Sequence, residues 1–401
     1  MAPGVAANEN DGMSIGNLRI VAVGLALLSP GSVAWSAAQP RAVDWSSYRG
    51  DTRMSGRADG ELGEALELAW TFETEAAIVS SPVVADGRVF IGSDDGKLYA
   101  VDFSTGEQLW AFETQDMIEA PPLVVDGVVY VGSTDFFFYA VKAETGELLW
   151  KVETDDKIVG GANFFVDDEL GETRIIVGSY DGALHCYRAK TGEELWAYTT
   201  DNYVNGTPAV VEGRAVFGGC DSALHVVDLR TGKQVERVQL CSECHIAGSV
   251  AIDSGKVLFG HYGNAFVCVE LDGGETNWAF DDSRQAFFSS PAISDGRVVF
   301  GGRNKSLHCV ALETGELLWK KKTRRKIDGS SVICGDKVVF GSGDGRLYIL
   351  RLDDGEDIWT YEIGESIFSS PAVHAGHVLI GANDGVLYAF GPVPDVAESD
   401  D

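Results

Sequence analysis

The 401-residue chain is 45% hydrophobic and holds 48 Gly against 11 Pro, a balance that supports a sizeable core with many tight turns and excludes an intrinsically disordered chain. Its 31 Lys and Arg stand against 61 Asp and Glu, a formal charge of −30 at pH 7. A surface of that sign disfavours nucleic acid and anionic membranes as partners and favours solubility.

The first 38 residues read as an export signal. Arg19 precedes an apolar run from Ile20 to Leu28, and Pro30, Gly31 and the small residues Ala34, Ser36, Ala37 and Ala38 surround a cleavage point near Gln39. Glu9 and Asp11 are out of place upstream of such a run, and a start at Met13 would remove them. An uncleaved anchor is the alternative, but the nine residues of the run fall short of the roughly 20 that span a bilayer. The first Cys is Cys186, which leaves no lipid-attachment Cys near this segment. The expectation is an exported, soluble protein of the periplasm or cell envelope, monomeric and without a transmembrane span in its mature form. Residues 39–65 are polar and Gly-rich, marked by Trp45, Tyr48 and Arg49; they read as a leader lying on the domain without a fold of its own.

Residues 66–391 form a repeat. Thr145-Gly146-Glu147-Leu148-Leu149-Trp150 has relatives ending at Trp110, Trp196, Trp278, Trp319 and Trp359, with Glu236 in place of Trp after Thr231-Gly232. With the solitary Trp70 included, the marker advances in steps of 40, 40, 46, 40, 42, 41 and 40 residues, the spacing of a four-stranded propeller blade. In the first copy, apolar stretches at Val83–Val84, Val89–Ile91, Leu98–Val101 and Leu109–Phe112 are separated by Asp86-Gly87, Asp95-Gly96 and Thr105-Gly106. They predict four strands, A to D, joined by hairpins whose Asp-Gly turns place both central residues at positive φ. The Trp on strand D is expected to pack between blades.

The AB and BC turns each occur eight times, but the CD turn with its D strand only seven, because the chain leaves the repeat through Pro392 and Pro394 into an acidic tail, 392–401. Leu68 to Phe72, ahead of the first A strand, is surplus by one. The fold class that follows is all-β: an eight-bladed propeller whose ring is closed by an N-terminal strand completing the last blade. Asp167 to Thr173, in the 46-residue step, lengthen one AB hairpin.

The pattern at Ser81-Pro82, Gly92-Ser93-Asp94, Leu98-Tyr99-Ala100 and Thr105-Gly106-Glu107 resembles pyrroloquinoline-quinone-type (PQQ-like) propeller repeats. The resemblance implies one of two functions: a quinone-dependent alcohol or sugar dehydrogenase, or the noncatalytic propeller of the outer-membrane barrel assembly machinery, BamB. In length and regularity the chain is more similar to the second. It lacks the adjacent Cys pair and the long inserted loops of the dehydrogenases, and the lipid-attachment Cys of the assembly factor. The primary reading is therefore a nonenzymatic scaffold for a protein partner in the envelope, with no cofactor. The alternative is a redox protein, either an oxidoreductase using PQQ with Ca²⁺ or a carrier of haem c or Zn²⁺.

Two stretches depart from the repeat. Cys241-Ser242-Glu243-Cys244-His245 is a Cys-x-x-Cys-His string of the kind that attaches haem, and it fills a two-residue insertion: Glu236 to Ile246 against Trp110 to Ile118 elsewhere. DA connections and BC turns share one face of a propeller, so Cys220 and His261 should converge on the same sector. A disulfide or plain loop residues, a metal site drawing on Cys220, Cys241, Cys244, His245 and His261, and haem with Met117 or His261 as a further ligand all remain open. Cys186, Cys268 and Cys309 occupy the buried slot of Ala100, and Cys334 sits at an AB turn. The second departure is Lys320-Lys321-Lys322-Thr323-Arg324-Arg325-Lys326, either a solvated strand edge or a contact for an acidic protein or an anionic glycan. No carboxylate pair in a glycosidase-like setting, phosphate loop or nucleophile–base string is recognisable.

Overall fold

The computed structural model describes residues 44–393 other than Asp168, Ser283 and Arg284. The export signal and all but the first two residues of the acidic tail lie outside the described residues. Eight antiparallel sheets succeed one another in chain order. In the first, strand A is Val83–Ala85, B Arg88–Gly92, C Lys97–Asp102 and D Gln108–Glu113. Short inner strands and longer outer ones follow from the wedge shape of a blade. The expected seam is present: Leu66–Glu73 is strand D of blade 8, with Leu68 opposite Phe390 and Phe72 opposite Leu387. Strand C of that blade runs to Pro392, one residue past the expected boundary. In blade 3 the lengthened hairpin gives a five-residue A strand, Asn163–Asp167. Among the described residues no helix is long and apolar enough to cross a membrane.

Six of the AB turns follow the expected geometry, as in blade 1 with Asp86 at φ 49° and Gly87 at 72°, whereas in blade 7 only Gly335 has positive φ and the blade 3 hairpin is longer. The BC turns do not, since in Asp95-Gly96 only Gly96 has positive φ. Side chains hold this turn instead. Ser93 Oγ accepts from the Asp95 N–H at 3.2 Å, and Asp95 Oδ1 accepts from the Lys97 N–H at 2.9 Å.

Six of the seven marker Trp residues, all but Trp359, clasp the next blade through the indole N–H. Trp110 Nε1 donates to the Ala143 carbonyl at 3.0 Å, and its ring covers Gly146, where a Cβ would lie 2.8 Å from the indole. Trp70, Trp150, Trp196, Trp278 and Trp319 repeat the bond to Phe103, Ala189, Leu229, Leu312 and Leu352 at 2.7–3.0 Å. The indole thus supplies apolar area and satisfies an inter-blade carbonyl with one side chain. Between blades 4 and 5, Glu236 substitutes a different bond, accepting from the Gly273 N–H at 3.1 Å, while Val238 takes the place over Gly274. Cys186, Cys268 and Cys309 lie opposite Trp196, Trp278 and Trp319, fully buried as expected of the Ala100 slot.

The leader is more than a covering segment. Arg57–Ala58 pairs in parallel with the inner strand of blade 7, making that sheet five-stranded. The carbonyls of Trp45, Ser46, Thr52, Arg53, Ser55 and Gly56 accept from the N–H groups of Val84, Val124, Val210, Ile252, Ile293 and Ile333 at 2.6–3.0 Å. These belong to the inner strands of blades 1, 2, 4, 5, 6 and 7. In blade 3 the Asn163 side-chain amide donates to the Thr52 carbonyl at 2.8 Å. The segment circles the axis and closes the channel from inside.

The clasp predicts a graded response to mutation. Trp110→Ala should lower stability by about 3–5 kcal/mol, whereas Leu109→Ala, at an exposed neighbour, should change it by no more than about 0.5 kcal/mol. Equal shifts of the two variants in urea denaturation would remove the clasp as a source of stability.

Candidate functional site

The DA connections and BC turns gather on one face around a funnel of about 300 Å³ to which all eight blades contribute. Its wall is a belt of hydrogen bonds. The N–H of Thr207 donates to Ser249 Oγ, and the pattern continues from Ser249 to Ser290, Ser330, Ser370 and Ser81 at 2.8–3.1 Å. Pro121 and Gly161 interrupt it in blades 2 and 3, having no side-chain hydroxyl. Tyr48 of the leader forms the floor, its hydroxyl 3.1 Å from Ser330 Oγ and 3.3 Å from Ser370 Oγ. The adjacent Arg49 is 1% exposed and donates through Nη2 to the Pro291 carbonyl at 2.8 Å. Burial lowers its pKa to about 10, still well above neutral pH. Glu119 and Asp328 line the funnel, and Asp94 on the blade 1 BC turn is pushed up to about 6 by burial, then by Glu119 and Asp95.

Around the funnel runs a chain of rings and cations. Tyr180 stacks on Tyr203 with centroids 4.7 Å apart, and Lys157 lies 4.6 Å from the Tyr180 ring. Tyr262 meets Phe288 at 4.3 Å, Arg303 lies 3.8 Å over Phe288, and Lys326 lies 4.8 Å from Phe368. Strand reasoning passed over these rings because they belong to no strand. Their signal is positional. Phe288 and Phe368 follow the buried DA residues Phe287 and Ile367, a slot held by Val79 or Ala247 in other repeats, and Tyr180 and Tyr262 stand where blade 1 has Asp94.

The irregular sector is brought together only in part. Cys241 and Cys244 form a disulfide, Cα atoms 5.2 Å apart. His261 Nε2 lies 3.8 Å from Cys244 Sγ, and His261 is 5% exposed, with burial lowering its pKa. His245 Nδ1 turns instead to the Cys220 carbonyl and, at 3.3 Å, to Ser222 Oγ. Cys220 Sγ faces Asn205 Nδ2 at 3.5 Å. As a disulfide, Cys241 and Cys244 offer neither thiols for thioether attachment of haem nor thiolates to a metal. Among the described residues no group of three or more His, Cys, Asp or Glu is arranged to hold a metal ion. Met117, the other ligand considered for haem, lies in the DA connection before blade 2, three blades from His261.

The basic stretch is partly neutralised. Lys320 pairs with Asp282, Lys321 with Asp357, and Lys326 with Asp328 at 2.5 Å. Lys322, Arg324 and Arg325 remain exposed, their side chains in no ion pair among the described residues, while the Arg324 backbone N–H donates to Asp344 Oδ2 at 2.9 Å. Arg324 and Arg325 border a second cavity of about 350 Å³ with Asp344 and Glu365.

The sequence profile of the family described as outer membrane protein assembly factor BamB matches residues 31–167, 139–239 and 220–395. The chain belongs to the BamB family. None of the curated proteins matches it. Among solved structures it is similar to BamB from Moraxella catarrhalis, with TM-score 0.69 and 19% identity over 82% of this chain and 98% of that one. It is also similar to the quinohemoprotein alcohol dehydrogenase from Comamonas testosteroni, with TM-score 0.76 and 15% identity over 89% of this chain and 82% of that one. The computationally designed Ika8 protein gives TM-score 0.70 and 18% identity over 82% of this chain and all of that one. At these identities the structural likeness concerns the propeller fold, and the BamB family match carries the membership.

Behind Tyr180, the BC turn of blade 3 holds a buried charge site. His185 Nε2 lies 3.0 Å from Asp181 Oδ2 and Nδ1 lies 2.8 Å from Glu194 Oε1. Burial alone would lower the His185 pKa, but the two carboxylates outweigh it and the net shift is upward. A raised folded pKa contributes stability in full below the unfolded value, about 6.5, and loses it as pH rises through the folded value. Wild type should therefore lose its advantage over His185→Gln between pH 6 and the alkaline side of that value. Parallel stability–pH curves in chemical denaturation would contradict this assignment.

Proposed function

We propose that this protein is an exported, noncatalytic scaffold of the cell envelope that serves outer-membrane protein assembly, with the funnel face as its docking surface for a protein partner. The observation that carries the reading is the run of rings and cations on that face, where Tyr203 and Tyr262 are each 46% exposed. Aromatic and Arg side chains presented on a rigid rim are what protein interfaces use as anchors. Family membership supplies the process, and the exposed Lys322, Arg324 and Arg325 extend the surface towards an acidic segment of the partner or an anionic glycan. The short rim loops leave the face open to a macromolecule.

A quinone-dependent dehydrogenase is the competing reading. The funnel lining includes Glu119 and Asp328 and, among its described residues, no Lys or Arg. A flat, polyanionic quinone would meet Glu119 and an Asp328 that already occupies the rim cations Arg303 and Lys326, so the lining offers it no cation of its own and fits it poorly.

Depletion of the protein in its host should lower the amount of β-barrel protein in the outer-membrane fraction, measured by quantitative mass spectrometry. Wild type should restore that amount, and a folded Tyr262→Ala/Phe288→Ala variant should not. Unchanged barrel levels, or full rescue by the double variant, would contradict the proposal. With the same purified protein, added quinone and Ca²⁺ should leave Trp fluorescence unchanged; saturable quenching with alcohol-dependent dye reduction would establish the dehydrogenase instead.

A further inference from the structure

We infer that the Cys241–Cys244 disulfide is a thiol–disulfide exchange site that oxidises a dithiol on a partner polypeptide. Four observations lead there, none of which depends on the envelope role. The two sulfur-bearing residues are unequal: Cys241 is exposed, whereas Cys244 is 4% exposed. An incoming thiolate can therefore reach one end of the bond while the leaving sulfur stays inside the protein. Next, the leaving sulfur has a proton-handling neighbour in His261, whose Nε2 lies 3.8 Å from Cys244 Sγ and whose Nδ1 has no partner among the described residues.

The third observation is Gly263. A Cβ there would lie 2.8 Å from both Cys244 Sγ and His261 Nδ1, so the absence of a side chain leaves space for sulfur and imidazole to face each other. The fourth is that the bond is a poor staple. It joins residues three apart, and closing so short a loop removes little entropy from the unfolded chain. It also lies in the longest DA connection, beside the junction where Glu236 replaces the clasping Trp. By contrast, burial pushes the thiols of Cys186, Cys268 and Cys309 up to about 12 and leaves them inert.

The exchange balances as follows. A thiolate of the partner attacks Cys241 Sγ, a mixed disulfide forms, and the Cys241–Cys244 bond breaks with Cys244 leaving as a thiolate. Cys244 takes a proton through His261. The partner's second thiolate then attacks its own sulfur in the mixed disulfide and releases Cys241, which is protonated from solvent. Two electrons and two protons pass from the partner dithiol to this protein, and the partner leaves as a disulfide.

The test uses the oxidised full chain and a synthetic peptide carrying two cysteines. Under native conditions the peptide should become oxidised as Cys241 and Cys244 gain free thiols, followed by alkylation and intact mass, with the circular dichroism of the propeller unchanged. Cys244→Ser, given the disulfide form of the peptide instead, should trap a mixed disulfide at Cys241 with release of one peptide thiol, Cys220→Ser should exchange like wild type, and His261→Gln should slow exchange at least about tenfold. A disulfide that yields to the peptide only after denaturation would overturn the proposal without any variant. Exchange of His261→Gln at the wild-type rate would overturn the part assigned to the imidazole.

Discussion

The structure depends on how a ring of sheets satisfies its innermost backbone. Each blade begins with a short strand at the axis, and the outward-turned N–H groups of such a strand have no neighbouring strand to receive them. Buried and unpaired, each would cost about 1–3 kcal/mol. The leader meets this requirement with its carbonyls, visiting six inner strands by backbone and a seventh through Asn163. Because it is anchored by main-chain bonds, it can be polar and Gly-rich and still be fixed. Tyr48 then becomes the floor of the funnel, which ties a cavity shared by all eight blades to the segment that plugs the channel.

The outer rim has the opposite solution. There the joints are side chains, with an indole from each of six D strands reaching a carbonyl of the next blade. The joint between blades 4 and 5 uses Glu236 and a backbone N–H instead, and the same sector carries the longer connection with Cys241 and Cys244. The repeat is thus most regular where it must pack and departs from regularity on the face where loops meet solvent. That division is how one fold can be reused for different tasks, and why the fold by itself does not choose among them.

Much of this was legible from residues. The indole spacing, the count of hairpins and the surplus strand at Leu68–Phe72 lead directly to eight blades and the seam, because apolar alternation and turn residues are local signals. The leader escaped that reading. Its bonds are made by carbonyls that every residue possesses, and its left-handed positions at Arg49 and Met54 carry no residue signature. At the irregular sector, topology assigns Cys220, Cys241, Cys244, His245 and His261 to loops of one junction but cannot give side-chain directions. The pairing of Cys241 with Cys244, and the turn of His245 towards a carbonyl, are matters of rotamer and loop path. The rim aromatics were overlooked because they lie in loops, where periodicity has nothing to report.

The central claim is that the leader is an integral strand-like plug of the ring. Native-state amide hydrogen exchange tests it most directly at Val84, Val124, Val210, Ile252, Ile293 and Ile333, whose N–H groups donate to leader carbonyls. The account predicts that all six exchange only through global unfolding, as slowly as amides of the central strands. Fast exchange at these positions while the B and C strands stay protected would show that the leader does not hold the inner edge, and would contradict the account.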